Sequence, residues 1–213
     1  IGVALQPLAD RLSELLRQLI CLHADETPVQ QLDPGKGKTR RAYLWAYRSN
    51  NLSGSPPIVV FDYQTSRSGH YAASYLRDWH GALMVDDYSG YKALFVSGVI
   101  ELGCWAHARR KFFDLHAAGG HPVAAEALQR IAQLYAVEAQ ASTFTVEQRA
   151  DYRAQHSVPL FQAMCDWLKN LRPTVANGSA LAKAIDYTLR RWPALVRYAA
   201  SGELPIDNNP VEN

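Results

Sequence analysis

Leu5, Leu8, Leu12, Leu15, Leu16 and Leu19 recur at helical spacing, which predicts an amphipathic helix over residues 5–19. The period then drops to two. Across 19–32, Ile20, Leu22 and Ala24 fall on one face and Cys21, His23 and Asp25 on the other, the pattern of a mostly buried strand that carries an acid. Gly, Pro and Lys in 33–41 predict a turn, aromatic-rich 41–49 a second strand, 50–57 another turn and 58–64 a third strand. These three strands read as an antiparallel meander. A helix is expected over 66–81, with Tyr71, Tyr75, Leu76 and Trp79 at helical spacing. Short strands follow at 82–91 and 98–104, separated by one helical turn at 92–95. Residues 105–120 predict a helix closed by Gly119 and Gly120. From 121 to about 200 the pattern is helical, with breaks expected near Ser157–Pro159, near Pro173–Gly178 and at Pro193.

Three meandering strands followed by alternating strands and helices predict an α/β fold, a mixed five-stranded sheet with flanking helices. This order matches the ribonuclease H-like fold, and the placement of acids described below favours it over other α/β sheets. The expected organisation is a lead-in helix at 1–19, a core at 20–120, an all-helical insertion at 121–200, and the start of a further helix at 201–213.

Composition narrows the picture modestly. At 213 residues with 48% hydrophobic content, the chain has enough apolar side chains for one large domain or a domain with an insertion. A net charge of +2 gives no global signal for nucleic acid or membrane. Cys21, Cys104 and Cys165 are too sparse for a disulfide framework, so a reduced, cytoplasmic setting is expected. No apolar run is long enough to span a membrane and no signal peptide is evident. A first residue other than Met suggests a piece of a longer protein.

The chemistry lies in the acids. Asp25 is on the first predicted strand, Asp86 at the carboxyl end of the fourth, and Glu212 in a segment with the residues of a helix start: Asp207, Asn208 or Asn209 as cap and Pro210 in the first turn. Asp25 and Asp86 are 61 residues apart, so they converge only if the first and fourth strands are neighbours. Converged, the carboxylates would form an oxygen-only cluster suited to magnesium or manganese. A pair of such ions supports in-line phosphoryl displacement. A two-carboxylate glycosidase is the competing chemistry, but the aromatic residues show no sugar platform.

The stretches "HADETPVQ", "RAYLWAYR", "PPIVVFDYQTSRSG", "MVDDYSGY", "ELGCWAHARRKFFDLH" and "PIDNNPVEN" together resemble the catalytic domain of insertion-sequence 66 family transposases, from about residue 20 to the end. The resemblance implies a DDE-type recombinase with a ribonuclease H-like fold. It implies catalytic and metal-binding roles for Asp25, Asp86 and Glu212, two Mg2+ or Mn2+ ions, and no covalent protein–DNA intermediate. "DDYSGY" puts Asp87 where the family has Gly, so the second ligand is Asp86 or Asp87. The implied partners are insertion-sequence terminal repeats and target DNA, with a homo-oligomer assembled on DNA in a bacterial cytoplasm. Because the chain stops one residue after Glu212, that residue is expected to be disordered or misplaced and the piece weakly active or inactive. The alternative is a truncated, non-catalytic nucleic-acid-binding or assembly module.

Other features carry smaller expectations. His107, spaced Cys-x-x-His from Cys104, is a candidate for orienting the acids, as are His23 and Asp87; a structural zinc at Cys104 and His107 lacks an obvious second ligand pair. Lys36, Lys38, Arg40 and Arg41 are expected on a hairpin tip and Arg109, Arg110 and Lys111 in a second basic cluster, both candidate phosphate contacts. Arg190 and Arg191 read as helix-surface charges. Tyr43, Trp45 and Tyr47 share one strand face, with core packing favoured over base stacking.

Overall fold

A computed structural model describes residues 2–54 and 56–212. Ser55, in the predicted turn at 50–57, and Asn213, in the terminal segment, lie outside the described residues. The chain divides into two compact units, residues 1–101 with 208–213 and residues 102–207.

The first unit opens with α1 (Gly2–Leu16), then β1 (Cys21–Asp33), β2 (Lys38–Ser49) and β3 (Val59–Gln64). Next come α2 (His70–Tyr75), β4 (Ala82–Val85), α3 (Lys92–Val96) and β5 (Ile100–Gly103), whose second half passes into the next unit. The sheet has the order β3-β2-β1-β4-β5. β1–β2 and β2–β3 are antiparallel, as the meander requires, and β1–β4 is parallel. This is the mixed five-stranded sheet expected from the sequence, with the strand order of the ribonuclease H-like fold.

Alternation divides the sheet into two faces. Leu22 and Ala24 of β1, Trp45 and Tyr47 of β2, and Leu83 and Val85 of β4 share one face and pack with Leu76, Trp79, Tyr91 and Leu94 in a single apolar cluster. Trp45 is fully buried, with its ring centroid 5.7 Å from Tyr91 and 6.4 Å from Tyr88, while Tyr47 stacks on Tyr75 at 4.0 Å. The β2 aromatics are therefore core residues. The other face carries Cys21, His23 and Asp25.

Several boundaries differ from the sequence reading, each for an identifiable reason. The predicted helix at 66–81 is helical only over His70–Tyr75. Asp78 adopts a left-handed φ of 63°, and the Trp79 indole turns back to donate to the Leu19 carbonyl at 2.9 Å. The β1–β2 ladder continues out to Asp33↔Lys38. Of the four cations expected at a hairpin tip, only Lys36 is in the turn; Lys38, Arg40 and Arg41 line β2.

The second unit contains α4 (Trp105–Gly119), α5 (Pro122–Gln140), α6 (Val146–Leu171) and α7 (Ala180–Val196) around Trp105, Phe112, Ile131, Phe161, Leu168, Ile185 and Leu195. Gly120 ends α4 at φ 65°, the left-handed position that favours glycine. The breaks expected at Ser157–Pro159 and Pro193 do not occur: α6 runs through Pro159 and α7 through Pro193. An interior proline costs about 3 kcal/mol. Ser157, Phe161 and Met164 of α6, and Ala194 and Leu195 of α7, are buried around those positions, and their packing offsets that cost. The break expected near Pro173–Gly178 does form, between α6 and α7, and an unexpected one forms at 141–145 between α5 and α6. There Thr145 and Gln148 make a reciprocal capping box at the start of α6. Arg191, expected on the surface, is buried, whereas Arg190 is exposed.

Candidate metal centre

The parallel ladder pairs Cys21↔Ala82, Leu22↔Leu83 and His23↔Met84. The same offset carries Asp25 onto Asp86, the residue that immediately follows β4. Paired parallel strands lie about 4.8 Å apart, and residues at one level share a face. The 61-residue separation seen in the sequence is thus the register of two neighbouring strands. Asp25 is half-buried, opposite the small Ala46 on β2. Asp86, also half-buried, accepts a hydrogen bond from the Tyr88 amide through Oδ1 at 2.8 Å, an Asx turn that ends the strand. Asp87 is one residue further along in the bend, past the level of Asp25.

The segment after Asp207 returns to this unit and forms α8 (Asn209–Glu212), which packs against β1 and β2. The expectation that Glu212 would be disordered for want of a helix is corrected here, because the turn forms and its first residues are anchored. The Arg48 guanidinium donates to the Pro210 carbonyl, and the amides of Val211 and Glu212 reach the Asn208 carbonyl at 3.1 and 3.4 Å. Such anchoring replaces the ladder that an isolated turn lacks. The Asn208 side chain does a second job. Its Nδ2 donates to the Ala24 carbonyl at 3.0 Å, which directs Oδ1 to His23 Nδ1 at 3.0 Å. The His23 Nδ1 therefore carries the proton and donates. Burial pushes the ring down to about 4, against the Asn208 hydrogen bond and with help from the Arg48 charge, so His23 is neutral at pH 7. The Asn208 bonds fasten the entry to α8 onto β1 one and two residues before Asp25.

The residue after Asp25 belongs to the opposite face. Glu26 is 5% exposed, and its Oε1 accepts from Arg67 Nε at 2.9 Å and Nη2 at 2.5 Å, while Oε2 accepts from the Tyr91 hydroxyl at 2.6 Å. The Arg67 guanidinium lies 3.9 Å from the Tyr88 ring centroid, and the Tyr88 hydroxyl donates to the Arg67 carbonyl. Burial raises the Glu26 carboxyl above its usual range; the Tyr91 and Arg67 hydrogen bonds pull it back, and the Asp86 charge pushes it up. Tyr88 and Tyr91 lie on the turn that follows Asp86, so this clamp holds that turn against β1. Its approach is close: a Cβ on Gly69 would sit 2.1 Å from the Gly90 carbonyl oxygen, which leaves room only for glycine.

Sequence reasoning missed Glu26, Arg67 and Tyr91, and saw Asn208 only as a candidate helix cap. Glu26 had a signal, since an acid at the parity of Leu22 and Ala24 falls on the core face and needs a partner. Nothing local marked Arg67.

The remaining candidates are spread over both units. Lys36 pairs with Asp33 at 3.3 Å, and Arg40 Nε donates to Gln31 at 2.8 Å; Lys36, Lys38, Arg40 and Arg41 are all exposed. In the second unit, Cys104 is buried at the start of α4 and His107 is half-buried in its first turn. Arg109, Arg110 and Lys111 follow on α4, all exposed.

A family model described as "Transposase IS66 family" matches residues 1–213. Two proteins of Sinorhizobium fredii (strain NBRC 101917 / NGR234), y4qI and y4jD, both described as uncharacterized, are similar to the chain. The first is 37% identical across 100% of this chain and 41% of its own length, the second 35% identical across 98% and 43%. The chain therefore spans about two fifths of the length of the curated relatives it matches. No solved structure matches. Among the described residues, no helix is long and apolar enough to cross a membrane. With a family match from its first residue to its last, the chain belongs to the IS66 transposase family.

Proposed function

We propose that this chain is the catalytic part of a DDE-type DNA transposase, which cleaves the phosphodiester at insertion-sequence ends and joins the freed 3′ hydroxyl to target DNA. The observation that supports this reading is the parallel register of β1 and β4, which, continued two residues past His23↔Met84, sets Asp25 within β1 level with Asp86 just after the carboxyl end of β4. Asp25, Asp86 and Glu212, on the helical turn packed against β1, are the proposed metal ligands. Their donor set is all carboxylate oxygen, which favours hard cations such as magnesium or manganese. Two such ions, when bound, supply an activated attacking oxygen and charge neutralisation at the leaving one.

The chain's own residues make the site and orient it. In this reading Asp25 and Asp86 set two carboxylates at one level on neighbouring strands, a concentration of negative charge that a divalent cation relieves. Asn208 holds the buried, neutral His23 by a hydrogen bond and fixes where α8 begins. Glu26, Arg67 and Tyr91 set the height of the turn that carries Asp86. Lys36, Lys38, Arg40 and Arg41 on the β1–β2 hairpin and Arg109, Arg110 and Lys111 on α4 are the proposed contacts to the phosphate backbone. A homo-oligomer on DNA and a cytoplasmic, nucleoid-bound location belong to the same proposal.

Metal removal tests it. The protein at its full native length is expected to nick a duplex containing the element's terminal repeat in Mg2+ or Mn2+ and to stop in EDTA, with DNA binding retained. Cleavage that persists in EDTA would contradict the proposal.

A further inference from the structure

Within the second unit, α4 and α7 enclose a surface depression of about 380 Å³ lined by Lys111, Lys183, Asp186, Tyr187 and Arg190. Lys183, Tyr187 and Arg190 are at i, i+4 and i+7 on α7, hence on one helix face, and Lys111 faces them from α4. Tyr187 organises the cations: Lys111 Nζ lies 5.2 Å and the Arg190 guanidinium 5.9 Å from its ring centroid. The single carboxylate in the lining, Asp186, is engaged by Arg172 through two hydrogen bonds of 2.5 and 3.0 Å. Arg172 holds its carboxyl below the usual range. Three cations thus converge on a concave surface whose only acid already has a partner, in a chain whose net charge is only +2.

We propose that this α4–α7 cradle binds the phosphodiester backbone of duplex DNA. The inference rests on the transposase reading and adds α7 to the DNA path. Lys183 and Arg190 are seven residues apart on one helix, roughly 10 Å along its axis. That span equals the axial rise of about three base steps at 3.4 Å each. The cations sit on packed helices rather than loops, so they present a fixed spacing to a fixed ligand. The proposed contact is to phosphate, and it is therefore expected to be independent of sequence.

The test is binding of the chain to a short duplex of arbitrary sequence, followed by fluorescence anisotropy across a NaCl series. Lys183→Ala/Arg190→Ala is compared with Arg11→Ala/Arg77→Ala, a charge-matched double on exposed residues of the first unit. Circular dichroism melts confirm that all variants fold. Each lost phosphate contact is expected to lower the slope of log K against log salt by about 0.9. The α7 double should therefore lose roughly two units of slope and bind at least tenfold more weakly at 0.1 M NaCl, with the control unchanged. Binding by the parent chain with no change of slope in the α7 double overturns the cradle and leaves the transposase reading standing. An equal loss in both doubles also overturns it, because diffuse charge then suffices. No DNA binding by the parent chain overturns the cradle together with the DNA-directed function it rests on.

Discussion

Asp25→Asn in the full-length protein is expected to lower strand cleavage at least about a thousandfold and to leave the fold intact. The substitution keeps the shape of a half-buried side chain opposite Ala46 and removes its charge. In the proposed site that charge is one of the three that hold the divalent ions. Charge stabilisation at a metal site contributes several kcal/mol to the transition state, and about 4 kcal/mol corresponds to a thousandfold in rate. Stability should change little or rise slightly, since the fold no longer has to keep two carboxylates at one level on neighbouring strands. Single-turnover cleavage of end DNA, with a thermal melt on the same sample, checks both halves. Activity within tenfold of the parent would remove Asp25 from the chemistry. Asp87→Asn provides the contrast. Asp87 lies one residue past the level of Asp25, so its loss should cost far less than the loss of Asp86.

Arg67→Ala is expected to be the most damaging single change to the first unit outside its apolar core. Glu26 is 1% exposed in its side chain and keeps only the Tyr91 hydroxyl once Arg67 is gone. Breaking a buried pair by removing one partner costs about 3–5 kcal/mol. The Arg67 side chain is 43% exposed, which lets water reach the vacated position and reduces the figure to about 2–3 kcal/mol. For a chain of this length that is roughly 5–10 °C in melting temperature. Glu26→Gln/Arg67→Ala should recover part of the loss, because the buried group is then neutral. A merely packing role for Arg67 predicts no recovery. Cleavage should fall along with stability, since the turn that begins at Asp86 is held to β1 through this clamp.

The parts of the fold that could be read from the sequence are those with a strict period. Alternation in 19–32 and 41–49 located β1 and β2, and Gly120 marked the end of α4. The reading failed where long-range packing overrode local preference. Pro159 and Pro193 look like helix breakers, but α6 and α7 pass through them because buried neighbours on both sides hold the helix. Residues 66–81 have helical spacing, but Trp79 is drawn away to the Leu19 carbonyl. In the candidate site, the acids at Asp25 and Asp86 were legible as unexplained charges at strand positions. Their shared level was not, since the pairing of β1 with β4 is a property of the sheet. The carboxylate–guanidinium pair of Glu26 with Arg67 joins residues 41 apart, and only one of the two carried any sign of it.

The most direct measurement is crystallographic: crystals of the chain soaked in MnCl2, with data collected for anomalous scattering. The proposal predicts a manganese peak about 2.0–2.2 Å from carboxylate oxygens of both Asp25 and Asp86. A peak elsewhere, or none at this pair under saturating Mn2+, would contradict it.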